Sequence, residues 1–224
     1  MAEQRQYRLR ALYCKQGRLV MLSHLEVAEA LRRAVRRADL PFAVSQGFSP
    51  HMKMTFSAAL PVGVGSTSEI FDLMLTEYVP AAQAFQALQR ASVPDLMVVA
   101  CAYVDNKAKA ASVAFPVSHY CARFDGPVDG FELVEQLTVA RANKKPKTQV
   151  LADYLRGPVE KDGFEVRFAL EALANGSLRP DNLLSASLEA YNRDSSHPLR
   201  LVSCTRVDQC DTEGGSLLAL MGKA

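Results

Sequence analysis

No segment of this chain approaches the roughly 18 consecutive apolar residues that a membrane-spanning helix requires. It also lacks charge of one sign: 26 lysines and arginines against 24 acidic residues leave a formal net charge of +2, too little on its own to argue for nucleic-acid binding. The five cysteines, Cys14, Cys101, Cys121, Cys204 and Cys210, are odd in number and scattered through apolar runs. That pattern suits reduced core thiols better than a disulfide framework. No Cys-x3-Cys-x2-Cys or paired Cys-x2-Cys occurs, so the chain offers no closely spaced thiolates to an iron-sulfur cluster. The histidines His24, His51, His119 and His197 lie far apart with no zinc spacing, so neither a metal nor a cofactor is expected. Gly63-Val64-Gly65-Ser66-Thr67-Ser68 has neither the third glycine of a dinucleotide fingerprint nor the Gly-Lys-Ser/Thr of a phosphate-binding loop. Nothing resembles a nucleophile elbow. The polar start, Met1-Ala2-Glu3-Gln4-Arg5-Gln6, does not read as a signal peptide, and the expected location is cytoplasmic.

What is present is an ordinary globular composition, 49% hydrophobic and 22% charged, in a length that accommodates two domains of roughly 100 residues each. Tyr7, Leu9, Ala11 and Tyr13 alternate with Arg8, Arg10 and Leu12 as in a half-buried strand. Ser23 and Glu26 form a capping box before a helix carrying Leu25, Ala28, Leu31, Val35 and Ala38, and Pro41 stops it. Strands are expected at Met54 to Leu60 and Glu69 to Leu75, a helix with Ala81, Ala84, Phe85 and Leu88 follows, and Leu96 to Val104 closes the half. After a linker at 105–111 the order repeats. A strand spans Phe115 to Phe124, a helix capped by Asp129 and Glu132 bears Phe131, Val134 and Leu137, strands lie at Gln149 to Arg156 and Gly163 to Ala172, Pro180 opens a helix to Asn192, and Leu199 to Val207 is the last strand. The predicted fold is α+β, two tandem ferredoxin-like (split βαβ) domains with antiparallel sheets. These cover residues 5–104 and 112–210, with a loose tail at 211–224.

The densest polar set joins Ser23 and His24, at the first helix N-terminus, to Ser45-Gln46-Gly47-Phe48-Ser49-Pro50-His51-Met52-Lys53. If the loop returns to that helix end, free N–H groups together with Lys15, Arg18 and Lys53 make a phosphate or carboxylate site. Two basic patches accompany it: Arg32, Arg33, Arg36 and Arg37, and Arg141, Lys144, Lys145 and Lys147. Solvated faces and phosphate contact are the alternatives for both. The candidate binding set is therefore Lys15, Arg18, Ser23, His24, Arg33, Arg36, Arg37, Gln46, Gly47, Ser49, His51 and Lys53. A histidine and a lysine flanking a phosphodiester are also the groups that metal-free RNA cleavage needs, which makes His24, His51 and Lys53 the catalytic candidates under that reading.

The segments Leu22-Ser23-His24-Leu25-Glu26, Leu31 to Pro41, Ser45 to Lys53, and Leu60-Pro61-Val62-Gly63-Val64 with Glu69 resemble the hallmark region of the radical-SAM-linked protein family. Arg141 to Lys147 and Leu178-Arg179-Pro180-Asp181 extend the likeness more faintly. Glu26 stands where the family usually shows aspartate, which keeps the carboxylate. Members occur fused behind a radical-SAM domain or as a separate protein of about this length, and this chain resembles the separate form. The resemblance implies an accessory protein that binds substrate for, or docks on, a separate radical-SAM iron-sulfur enzyme. RNA is the substrate suggested by analogy between folds. The alternatives are an RNA-processing enzyme similar to the tandem ferredoxin-like endonucleases of CRISPR systems, and a purely structural adaptor.

Overall fold

The computed structural model describes residues 6–141, 144–174 and 176–218, with side chains outside the description from 141 to 145. Among the described residues ten strands and five helices follow in the order β1 (Tyr7–Lys15), α1 (His24–Arg37), β2 (Met54–Phe56), β3 (Val64–Leu75), α2 (Ala81–Ala91), β4 (Val98–Val104), α3 (Ala111–Ala114), β5 (Val117–Phe124), β6 (Gln136–Arg141), β7 (Lys144–Val150), α4 (Leu151–Tyr154), β8 (Glu160–Asp162), β9 (Glu165–Glu171), α5 (Pro180–Asp194) and β10 (Leu201–Cys210).

The two halves share one sheet, ordered β4-β1-β3-β10-β5-β9-β8. Strand β3 makes this possible by its length of 12 residues. One of its edges pairs along β1, from Tyr7↔Leu75 to Lys15↔Ser66. Its other edge is divided between β2, at Met54↔Leu73 to Phe56↔Phe71, and the last strand of the chain, which runs parallel to it at Cys204↔Val64 to Arg206↔Ser66. The other strand pairs described are antiparallel.

Alternation along the strands sorts side chains to opposite faces. Leu9, Ala11, Tyr13, Phe71 and Leu73 meet Val27, Leu31 and Val35 of α1 and Ala84 and Leu88 of α2 in one core. Burying each of these larger side chains contributes about 1.5–3 kcal/mol. A second core on the C-terminal half joins Tyr120, Ala122, Phe124 and Phe168 to Leu183 and Leu184 of α5, with Phe131 fully buried. Helix α1 forms as its cap and spacing predict, and ends where Asp39 takes a left-handed φ of 53°. Its buried stripe is rotated from the expected one: Leu25 is exposed, while Val27 and Ala34 are buried. Gly17, φ 52°, turns the chain between β1 and the 3-10 turn Gly17–Met21, and a Cβ there would strike the Asp95 carboxylate at 2.4 Å.

In the second half the expected helix over Asp129, Phe131, Val134 and Leu137 does not form. Phe131 plugs the core from a turn, and the chain continues as the hairpin β6–β7, a sheet of its own. The strand expected from Gln149 to Arg156 ends at Val150 and gives way to α4, and the short strand β8 pairs antiparallel with β9. The expected linker is a structural plug. The carbonyls of Ala108 and Lys109 accept from Arg8 at 2.6 and 3.1 Å, and Ala111 and Phe115 pack with Leu12, Ile70 and Leu217 on the sheet face turned away from α1 and α2. Of the expected tail, Asp211 accepts from the N–H of Gly215 at 2.7 Å and Leu217 is buried; positions 219–224 lie outside the described residues. No helix among the described residues is long and apolar enough to cross a membrane.

Candidate functional site

At the start of α1 the capping box is complete. Glu26 Oε2 accepts from the Ser23 N–H at 2.8 Å and from its hydroxyl at 2.7 Å, while Ser23 Oγ accepts from the Glu26 N–H at 3.4 Å. The bonds from Ser23 hold the Glu26 carboxyl below its ordinary range. A carboxylate therefore already sits at the positive end of the helix. Lys15 is buried beneath it and donates to the Leu22 carbonyl at 2.9 Å, its ammonium pushed down chiefly by burial. Arg18 is exposed on the 3-10 turn. His24 is half-buried, with its ring edge-on to Phe56 at 5.3 Å.

The loop after α1 is a small hairpin of its own, closed by the Val44↔Met52 bridge and by Ser45 N–H to the His51 carbonyl at 2.8 Å. Ser45 Oγ stands 2.9 Å from His51 Nδ1 and accepts from the His51 N–H at 3.1 Å. Gln46, Gly47, Phe48 and Ser49 form the exposed tip, where Gly47 takes φ 122° and Phe48 is fully exposed.

Strand alternation sends His51 and Lys53 away from His24. Met54 and Phe56 face α1, whereas Lys53 and Thr55 face the other way, with Asp72 and Met74. There His51 and Lys53 line a groove of about 470 Å³ together with Arg8, Thr55, Asp72 and Asn106. Lys53 Nζ reaches Gln6 Oε1 at 3.4 Å. The floor is a buried ion cluster. Asp72 receives Arg8 Nε at 3.1 Å and Nη2 at 2.6 Å, and Arg10 Nε at 2.7 Å and Nη2 at 3.0 Å. Two guanidiniums share one carboxylate, and Arg10 also lies 5.6 Å from the Phe115 ring centroid. With Lys53 at the rim, cation exceeds anion in the groove.

The arginine face of α1 forms a separate patch on the helix side. Arg32, Arg33 and Arg36 lie 3.7, 3.7 and 3.9 Å from the same Glu29 carboxylate, and Arg37 donates to the Ala91 carbonyl at 2.5 Å. The side chains of Arg141, Lys144 and Lys145 fall outside the described residues. The predicted residues thus separate into a helix-side group, with Ser23, His24 and the arginines, and a groove-side group, with His51 and Lys53. Sequence reasoning missed Arg8, Arg10 and Asp72, because an arginine in an alternating strand reads as solvent-facing. It also missed Arg206, buried at the seam of the two halves, where it meets Glu69 at 2.8 Å and Tyr120 Oη at 3.3 Å. Among the described residues no three His, Cys, Asp or Glu side chains gather as metal ligands do.

A search among curated proteins finds no match for the chain. A family model does match, over residues 8–180. These run from the Arg8 of the groove floor to the proline that opens α5, and the chain accordingly belongs to the family described as an uncharacterized protein conserved in bacteria, DUF2344.

Proposed function

We propose that this protein is a non-catalytic accessory that binds RNA for a separate radical-SAM enzyme. The observation that carries the RNA part is the groove, where Lys53 and the two-to-one arginine–aspartate floor leave surplus positive charge beside His51. Phe48 stands fully exposed on the same loop as His51, a ring available for stacking on an unpaired base. The partner rests on the resemblance of the Ser23 to Lys53 region to the radical-SAM-linked proteins. Tandem split βαβ units fit the strand orders: β4-β1-β3-β2 in the first half is repeated as β10-β5-β9-β8 in the second, where a hairpin stands in place of the first helix. The endonuclease reading, with His24 or His51 as acid/base and Lys53 as stabiliser, narrows to His51, which lines the groove with Lys53, while His24 lies on the helix side against Phe56.

The test is fluorescence anisotropy with labelled single-stranded RNA across a salt series. Affinity should fall steeply with salt, and Lys53→Ala should weaken binding and lower the log–log salt slope by about 1. Phe48→Ala should weaken binding by about 1–3 kcal/mol. Binding that ignores salt, or that neither variant changes, removes RNA from the reading. The partner is tested separately, by anaerobic pull-down from native cells with mass spectrometry; absence of an iron-sulfur radical-SAM protein removes the accessory role.

A further inference from the structure

Away from the groove of His51 and Lys53, the second half sets an open strand edge beside a helix. The hairpin β6–β7 is a two-stranded sheet, so each of its strands keeps one unpaired edge. Its register fixes which groups lie there. Leu151 N–H donates to the Glu135 carbonyl at 2.7 Å, and the pairs Leu137↔Gln149 and Val139↔Lys147 continue that bonded set. The N–H and C=O groups of Gln136 and Thr138 therefore point away from β7. They point toward α5, because Val134, two residues earlier and of the same parity, donates its N–H to the Ser187 hydroxyl of that helix at 3.1 Å. Past Val134 strand and helix part, and among the described residues the outward backbone groups of Gln136 and Thr138 bond to no other element. The space between is a cleft of about 580 Å³, a size typical of ligand clefts, ~300–1,000 Å³. Consecutive β6 residues, 136–140, line it together with one face of α5 and no described residue of β7, which places it along the strand's edge. Leu137 and Val139 fix the strand in the second core. The helix wall presents the small side chains of Ser185, Ala186 and Ala190. Between positions 182 and 193 that wall is about 17 Å long, room for about five extended residues. No charge or proline blunts the edge Gln136-Leu137-Thr138-Val139-Ala140, whereas β7, the hairpin's other edge, opens with Lys144-Lys145-Pro146-Lys147. Over positions 136–150 the sequence holds four basic residues and no acidic one.

We propose that this cleft takes an extended, acidic peptide segment of a partner protein, which adds to the hairpin as a third strand along β6 with α5 as its wall. The alternating donors and acceptors at Gln136 and Thr138 match a peptide backbone, whereas a sugar-phosphate chain has no such row to offer. The small side chains of α5 leave depth for every second side chain of the added strand. The basic sequence of the hairpin selects carboxylates over ammonium groups on that strand.

The probe is a library of random dodecapeptides displayed on phage and selected on the whole chain. Enrichment of sequences rich in Asp and Glu is expected, and the strongest is synthesised for fluorescence anisotropy and amide hydrogen exchange. Its binding should slow exchange at the Gln136 and Thr138 N–H groups. Methylating alternate backbone nitrogens of the peptide, which keeps its side chains, should weaken binding about tenfold in one of the two phases, the worth of two backbone hydrogen bonds. Thr138→Pro removes an outward N–H without touching a bond to β7 and should abolish binding. Ala190→Glu, on the exposed wall of α5, leaves the hairpin intact and should weaken binding at least tenfold by filling the cleft and repelling carboxylates. Lys53→Ala, in the RNA groove, should leave peptide binding unchanged, so failure of the RNA reading and failure of this one are separable. The proposal is overturned by a selection that enriches nothing, by peptides that bind the Thr138→Pro and Ala190→Glu chains as tightly as the parent, or by an RNA oligomer protecting those two amides where the peptides do not.

Discussion

Replacing Asp72 with asparagine tests whether the groove floor is an ion cluster with surplus cation. The carboxylate is 2% exposed and accepts four bonds from two guanidiniums that are themselves only 8% and 6% exposed. Asparagine keeps the shape but removes the charge, and its amide presents donors to donors. Breaking a buried pair by removing one partner costs about 3–5 kcal/mol, and here two cations lose their anion together, so the upper end applies. Set against a total stability of about 5–15 kcal/mol, that is a large fraction. Urea unfolding followed by far-UV circular dichroism should show a lower midpoint with little change in m. Arg10→Met is the control. It leaves a one-to-one Arg8–Asp72 pair, which keeps its anchor to the Ala108 and Lys109 carbonyls, so no buried charge is left without its counter-charge. Its cost should be under half that of Asp72→Asn. A loss under about 1 kcal/mol in Asp72→Asn, or an equal loss in Arg10→Met, refutes the reasoning.

Two further outcomes are expected. Ser23→Ala removes the cap of α1 and should cost about 1 kcal/mol; an unchanged Tm means that Glu26 alone satisfies the helix end. The Cys204 thiol is pushed up to about 12, mainly by burial, above an unfolded value near 8.5. The folded state then retains a proton that the unfolded chain sheds, so this contribution to stability is complete below pH ~8.5 and is lost as pH rises from there toward the folded value. Cys204→Ala should show a shallower alkaline decline in urea midpoint than the parent, and parallel declines would show that the thiol is not the titrating group.

The Ser23 cap, the start of α5 at Pro180 and most strands are decided by spacings of two to four residues, which a single sequence displays directly. The helix expected over Asp129 to Leu137 failed for the opposite reason. Phe131, Val134 and Leu137 have helical spacing, yet the contacts that satisfy them are to residues some 50 positions away, such as Ser187, whose hydroxyl accepts from the Val134 N–H at 3.1 Å. For the candidate site, the sequence singled out His51 and Lys53 because polar residues crowd that loop. It had no means of showing that strand alternation would send them to the face opposite His24, or that Glu26 would occupy the end of α1. Arg8, Arg10, Asp72, Glu69 and Arg206 look like surface charges in one dimension, and their burial exists only because β3 pairs with strands from both ends of the chain. Sequence alone determined the local elements and their polarity. Tertiary structure decided which charges leave water, since desolvation and ion pairing depend on neighbours brought together across 60 to 140 residues.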